Sequence, residues 1–496
     1  MNAEVSDVLL RGARLVGGSG DPLDLLVRDG TVTAVGNALG LDAGQVIDVD
    51  GRWVSPGLWD SHVHMDQWAL VRQRMDLSPA KSAADVASLV GKWCQTRSSA
   101  SQDPLIGYGF QDGLWPDMPT RDLLDSVSAD VPVVLVSKDL HSVWLNSCAL
   151  ARHGHADHPT GLLREHAAFE INTRVSSVSE EQLDSWVADA TRAAAARGIV
   201  GVVDLEMTLS IDRWARRVAA GTRHLRVRPG VYPLDLEAVI AKGLRTGDVV
   251  AGTDGLVTMG PFKIILDGSL NTRTAFCHAP YPGLEQMDDG QGLTTMDRDE
   301  LRRHLLRASS AGIIPAVHAI GDAANSLALD VLEEIGCAGS IEHAQLVHAA
   351  DFERFARLSI VASIQPEHAM DDRDVADHYW AGRTGRAFAF ASLVAAGATI
   401  RLGSDAPVAP LDPWISMAAA VSRTRDERDA WHPERRILSA VALAASTGGR
   451  RVVKAGSVAD LVVTERNPLV ASDLELRHFD VSATMLGGRW THFTLD

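Results

Sequence analysis

At 496 residues, with 46% hydrophobic and 22% charged positions, the chain has the balance of an ordinary soluble globular protein, long for one average domain and short for three. A formal net charge of -17 argues against nucleic acid or an anionic membrane surface, both of which demand a basic face, and leaves a small-molecule substrate as the expected partner. Cys94, Cys148, Cys277 and Cys337 stand far apart with no CxxC pairing, so buried thiols in a reducing compartment are expected rather than disulfides or a thiolate metal site.

The opening Met1-Asn2-Ala3-Glu4 has neither a basic nor an apolar leader character, and no apolar run reaches the ~18 residues of a membrane span; a cytoplasmic protein is expected. Short strands come first. Val8–Leu10, Leu25–Arg28 and Thr31–Val35 are separated by the turn-rich stretch 17–22 and by Asp29-Gly30, a good hairpin signal between two apolar runs. The far end repeats this texture in Asp460–Val463 and Ala483–Leu486, followed by Gly487-Gly488-Arg489. A small β-sandwich domain built from both termini, residues 1–55 with 450–496, is the expectation.

In the middle, Val54–Leu58 leads into a strand ending at His62-Val63-His64. Strand-like runs then follow at Ile199–Leu205, Leu225–Tyr232, Phe262–Leu266, Ile313–His318, Ser340–His343, Ile360–Gln365 and Thr399–Ser404. Helical stretches such as Asp299–Ala311 and Ala323–Ile335 lie between several of them. Eight strands in this order predict a closed (β/α)8 TIM barrel over residues 56–449. Residues 67–195 do not fit a simple connection. They hold a strand of their own, Val131–Val136, and an Ala-rich helix, Leu183–Arg197, and read as an α/β insertion after the first barrel strand, placed to cover the site.

Barrel enzymes work at the C-terminal ends of their strands. There the first strand offers His62 and His64, whose i, i+2 spacing turns both imidazoles to one side. The fourth offers Lys263, the fifth His318, the sixth His343 and the eighth Asp405. One strand-end histidine is more often structural; agreement among several strands indicates a divalent metal site, with zinc the expected ion and Mn2+, Fe2+ or Ni2+ also suited to these donors. His153, His155 and His158 lie in a polar loop and read as solvated instead.

His62-Val63-His64 behind Pro56-Gly57-Leu58-Trp59-Asp60-Ser61 resembles the opening metal motif of the amidohydrolase superfamily. Lys263 with Asp267-Gly268-Ser269-Leu270, His318-Ala319-Ile320-Gly321-Asp322, Ile341-Glu342-His343-Ala344 and Gly403-Ser404-Asp405-Ala406-Pro407-Val408 resemble its YtcJ-like branch, as does Asp139-Leu140-His141-Ser142 with Trp144 and Asn146. The resemblance implies that His62, His64 and Asp405 bind the more buried ion and His318 and His343 a second. It also implies that Lys263 is carboxylated to a bridging carbamate; the alternative is a plain cation paired with Asp267 or the substrate. Asn271-Thr272-Arg273, Ala323 and the short Ala455-Gly456-Ser457 depart from the branch's pattern without removing a ligand. His141, Trp144, Arg273 and His368 are candidate substrate contacts, with Trp68 and Trp115 as further aromatic wall.

The expected reaction is hydrolysis of a C–N bond of amide or N-acyl type by metal-activated water, with Asp405 as ligand and acid/base together. Lactone or ester hydrolysis and heterocycle deamination are alternatives on the same site. Decarboxylation or isomerisation, and a non-catalytic scaffold, are those of other classes. A homodimer or larger homo-oligomer is expected of such a barrel.

Overall fold

The structure is a computed structural model and describes residues 7–39, 44–96, 104–112, 115–128, 130–138, 142–164 and 166–495. Contacts divide the chain into two compact units, residues 1–65 with 191–496, and residues 66–190. Among the described residues no helix is long and apolar enough to cross a membrane.

The first unit begins with β1 (Val8–Leu15), β2 (Pro22–Arg28), β3 (Thr31–Gly36), β4 (Gln45–Asp48), β5 (Trp53–Pro56) and β6 (Leu58–Val63). The second unit contributes β7 (Met75–Asp76), β8 (Leu105–Phe110), β9 (Val133–Ser137), β10 (Ser142–Leu145) and β11 (Leu162–Arg164). The first unit resumes with β12 (Ile199–Asp204), β13 (Arg226–Pro229), β14 (Phe262–Ile265) and β15 (Pro315–Ala319). After them come β16 (Ser340–His343), β17 (Val361–Ile364), β18 (Ile400–Leu402), β19 (Leu461–Thr464), β20 (Val481–Leu486) and β21 (Arg489–Phe493).

Strands from the two termini share one eight-stranded sheet in the order β21-β20-β19-β5-β1-β2-β3, with β4 on β1. Its hairpins follow from local chemistry. Asp29 and Gly30 both take positive φ, 45° and 72°, joining β2 to β3 through the pair Arg28 and Thr31. Gly487 and Gly488 do the same, at 55° and 80°, between Leu486 and Arg489. A two-residue turn with both φ positive matches the twist of the flanking strands. Where a sandwich was expected, hydrogen bonding is continuous, because β5 pairs with β1 in parallel and with β19 antiparallel. Val8, Leu10, Leu25, Val27, Val54, Leu461, Val463 and Met485 form the buried core of this sheet.

The eight strands expected of the middle region are all present, as β6 and β12 to β18. They form two wholly parallel sheets, β13-β12-β6 and β14-β15-β16-β17-β18. Parallel bridges Val63–Ala406 and Val231–Phe262 connect the edges of one sheet to those of the other. Every residue of β12 is buried, as a strand covered on both faces requires. The expected helices at 299–311 and 323–335 are Arg298–Ser310, capped by the Asp297 carboxylate on the Glu300 amide, and Asp322–Ile335, ended by left-handed Gly336.

The second unit has a five-stranded sheet, β11-β10-β9-β8-β7, parallel from β7 to β9 and antiparallel beyond. The strand expected at 131–136 is its central β9, and the Ala-rich helix runs over Glu180–Ala195. β7, β10 and β11 are shorter, with two, four and three residues, and two glycines interrupt the apolar pattern of the six-residue β8.

Candidate metal centre

β6 presents Asp60 and His62 to one side, and His64 follows just past its end on that same side. Two backbone bonds dock this end against the segment after β18: Asp405 N–H donates to the His62 carbonyl at 2.7 Å, and His64 N–H to that of Ala406 at 2.9 Å. Asp60 reinforces the joint by accepting from the amides of His62 and Ser404, each at 3.0 Å. Its burial pushes the carboxyl pKa up to about 7 despite those bonds.

The result is a convergence of donors. His62, His343 and Asp405 each offer a ligand atom, and these lie within 4.8 Å of one another. Asp405 Oδ1 stands 3.3 Å from His62 Nε2 and 3.2 Å from His64 Nε2. The His318 and His343 rings are 4.5 Å apart, and His343 is 5.0 Å from His62. His343, Ala344 and Asp405 take positive φ of 76°, 42° and 59°, strain of roughly 1–3 kcal/mol each that the surrounding structure sustains.

The protonation states favour a cation. Burial, with the Lys263 charge, lowers His62 and takes His318 from the usual 6.5 to about 3; burial also holds His343 well down. All three imidazoles are therefore neutral at pH 7 and keep a lone pair. Burial alone would raise Asp405, but His62, His64 and His343 together pull it well below the carboxylate range. His64 is raised: desolvation is the largest single effect and lowers it, but the hydrogen bond to Asp405 and the charges of Asp405 and Glu206 together exceed it.

Lys263, on β14, is 2% exposed, and among the described residues its Nζ has no hydrogen-bond partner. Asp267 is not that partner: its oxygens accept from the amides of Ile320, Gly321 and Phe276 at 2.9–3.0 Å. His64 Nδ1 and His343 Nδ1 also lack partners among the described residues. Buried orphan nitrogens around an ionised carboxylate fit a divalent ion, and an N/O donor set suits zinc and its first-row neighbours.

Of the candidate substrate contacts among the described residues, only His368 is placed at this cluster. Its Nε2 is 3.8 Å from Asp405 Oδ2, and its ring stacks on His343 at 6.0 Å. The Arg273 guanidinium lies 5.4 Å over the ring of Tyr379, the last residue of the helix Pro366–Tyr379. Eleven residues at about 1.5 Å each separate Tyr379 from His368, so Arg273 sits at the far end of that helix. Trp144 is wholly buried in the core of the second unit, edge-on to Phe110, with Trp115 packed against the same core. Trp68 lies under the Arg72 guanidinium. His141 falls outside the described residues.

Sequence reasoning named Asp60 and Glu342 inside motifs without giving them work. Each stands two residues from a polar neighbour on the same strand face, Asp60 before His62 and Glu342 after Ser340, and that period was the available signal.

Two expected results follow from this geometry. A Cβ at Gly403 would lie 2.8 Å from the His62 backbone nitrogen, so Gly403→Ala should cost ~1–3 kcal/mol in denaturant melts and weaken metal retention. His318 has a folded pKa below its unfolded one, so its contribution is complete above pH 6.5 and is lost as pH falls toward 3. Metal-free His318→Gln should therefore lose less stability than wild type over that window, by about 1.4 kcal/mol per pH unit in melts at stepped pH.

A family model described as "Amidohydrolase family" matches residues 45–492. The YtcJ protein of Bacillus subtilis (strain 168) is 26% identical, over 93% of this chain and 94% of its own length. N-substituted formamide deformylase of Arthrobacter pascens is 26% identical over 92% of each chain. The crystal structure of a metal-dependent hydrolase from Pyrococcus horikoshii OT3 shares the fold, with TM-score 0.77 at 24% identity, covering 94% of this chain and 99% of that one.

Proposed function

We propose, from the premise that the chain belongs to the amidohydrolase family and to its YtcJ-like branch, that this hydrolase cleaves the C–N bond of an N-acyl small molecule at a divalent metal centre, with zinc the ion. The observation that carries the reading is the approach of His62, His343 and Asp405 donor atoms to within 4.8 Å, with the buried Lys263 amine lacking a hydrogen-bond partner among the described residues. We also infer a closed (β/α)8 barrel, supported by the two parallel bridges that join the sheet edges.

His62, His64 and Asp405 would hold one ion, and His318 and His343 a second. Lys263, once carboxylated, would supply the remaining ligand oxygens. Burial lowers the pKa of this lysine and so enriches its neutral form. The neutral nitrogen attacks CO2, forming an N–C bond and releasing a proton, and the product anion offers two oxygens where the ammonium offers none. A bound divalent ion supplies water of pKa about 7 rather than 15.7 and polarises a carbonyl.

The chain's residues do the rest. Asp405, ionised and facing the imidazoles, takes a proton from the attacking water as it adds to the acyl carbon. It returns that proton to the leaving nitrogen when the C–N bond breaks, so one carboxylate serves both steps. The similarity to a formamide deformylase supports an N-acyl amine as substrate.

The test is amine release from a panel of N-formyl and N-acetyl amines. Release that stops with chelator and returns with Zn2+ is expected. No amine from zinc-loaded protein, with acid from lactones or ammonia from heterocycles instead, would overturn the C–N acyl reading.

A further inference from the structure

Glu342 is a carboxylate that the chemistry above does not use. It is 3% exposed on β16, one residue before His343. Ser340 and Glu342 share a strand face, and Ser340 Oγ donates to Glu342 Oε1 at 2.6 Å. The other oxygen, Oε2, lies 2.8 Å from His62 Nδ1.

A carboxylate only accepts, so this contact requires the His62 proton to be on Nδ1. Nε2 then carries the lone pair, and Nε2 is the atom 3.3 Å from Asp405 Oδ1. A second neighbour asks for the opposite arrangement. Gln365 Nε2, an amide donor, stands 3.4 Å from the same Nδ1 and has its own link to the Ser363 carbonyl. Were Gln365 to donate there, Nδ1 would be the acceptor, the proton would move to Nε2, and no lone pair would face the ion. The shorter, charge-assisted contact with Glu342 decides between them.

We propose that Glu342 is the positioning residue that fixes His62 in its Nδ1–H form against the competing Gln365 amide, and so aims the Nε2 lone pair into the metal centre. The inference rests on the metal-centre reading above.

The test is zinc affinity of the full-length protein, measured by competition with a chromophoric chelator, for wild type, Glu342→Gln, Glu342→Leu and Glu342→Leu/Gln365→Leu. Losing a carboxylate partner of a ligating histidine weakens metal binding about 10–100-fold. Glu342→Leu should show at least that loss, and Glu342→Gln, which keeps an acceptor oxygen, less of it. The double variant should bind more tightly than Glu342→Leu, because removing Gln365 frees the histidine to return to the ligating tautomer; a merely structural role would make the double variant worse. Wild-type affinity in Glu342→Gln and Glu342→Leu, or a double variant no tighter than Glu342→Leu, overturns the proposal. If the leucine variants fail to fold, Glu342→Gln decides alone: weaker zinc binding supports it, and unchanged binding overturns it. Wild-type protein that binds no zinc would instead defeat the metal-centre reading.

Discussion

Asp405→Asn is expected to lower kcat/KM for N-acyl substrates by about 10⁴-fold, the upper range for removing a general acid–base group. The substitution preserves size and leaves His62, His64, His318 and His343 in place, so the fold and part of the metal affinity should survive. What disappears is a carboxylate held well below the usual range, whose Oδ1 stands within 3.3 Å of both His62 and His64. An amide neither takes a proton from water nor returns one to nitrogen. Steady-state rates at saturating zinc check this. Activity within ten-fold of wild type would mean that another group moves the proton, with His368, 3.8 Å from Asp405 Oδ2, a candidate outside the ligand set.

Lys263→Met should remove one ion and cut kcat/KM by roughly 10²–10³-fold, the several kcal/mol that a lost Lewis-acid contribution represents. Methionine fills the buried volume but forms no carbamate, so packing and bridging are separated. Metal-free, the variant should be at least as stable as wild type, since a buried amine with no partner among the described residues carries a desolvation cost that a thioether does not. Added acetate or formate should restore part of the activity of the smaller Lys263→Ala by supplying carboxylate oxygens to the vacated space. Full metal content and activity in Lys263→Met would mean that this lysine is an ordinary buried base.

The parallel strands were legible as short apolar runs, four of them with a residue at or just past the end that a core has no use for: His62, His318, His343, Asp405. The part played by Glu342 was not. Adjacent strand residues point to opposite faces, which excludes Glu342 and His343 from serving one site. His343 escapes that rule with a φ of 76°, a backbone property that pattern reading does not register. Trp144 and Arg273 illustrate the converse. An aromatic ring suits a binding wall and a core equally, and Trp144 is in a core; Arg273 suits a substrate carboxylate, yet its guanidinium lies over Tyr379. The single sheet shared by both termini was readable as strands, but not as one sheet, because pairings between distant segments join them, those of β5 with β1 and β19 and the bridge Thr31–Val458.

Elemental analysis of wild-type protein prepared without chelator, beside His62→Ala, tests the metal centre most directly. The account predicts about two divalent ions per chain in wild type, and at most about one in His62→Ala, as expected when a strand-end ligand of a binuclear site is lost. Wild-type protein that holds no ion, even after reconstitution with Zn2+, Mn2+ and Fe2+, would contradict it.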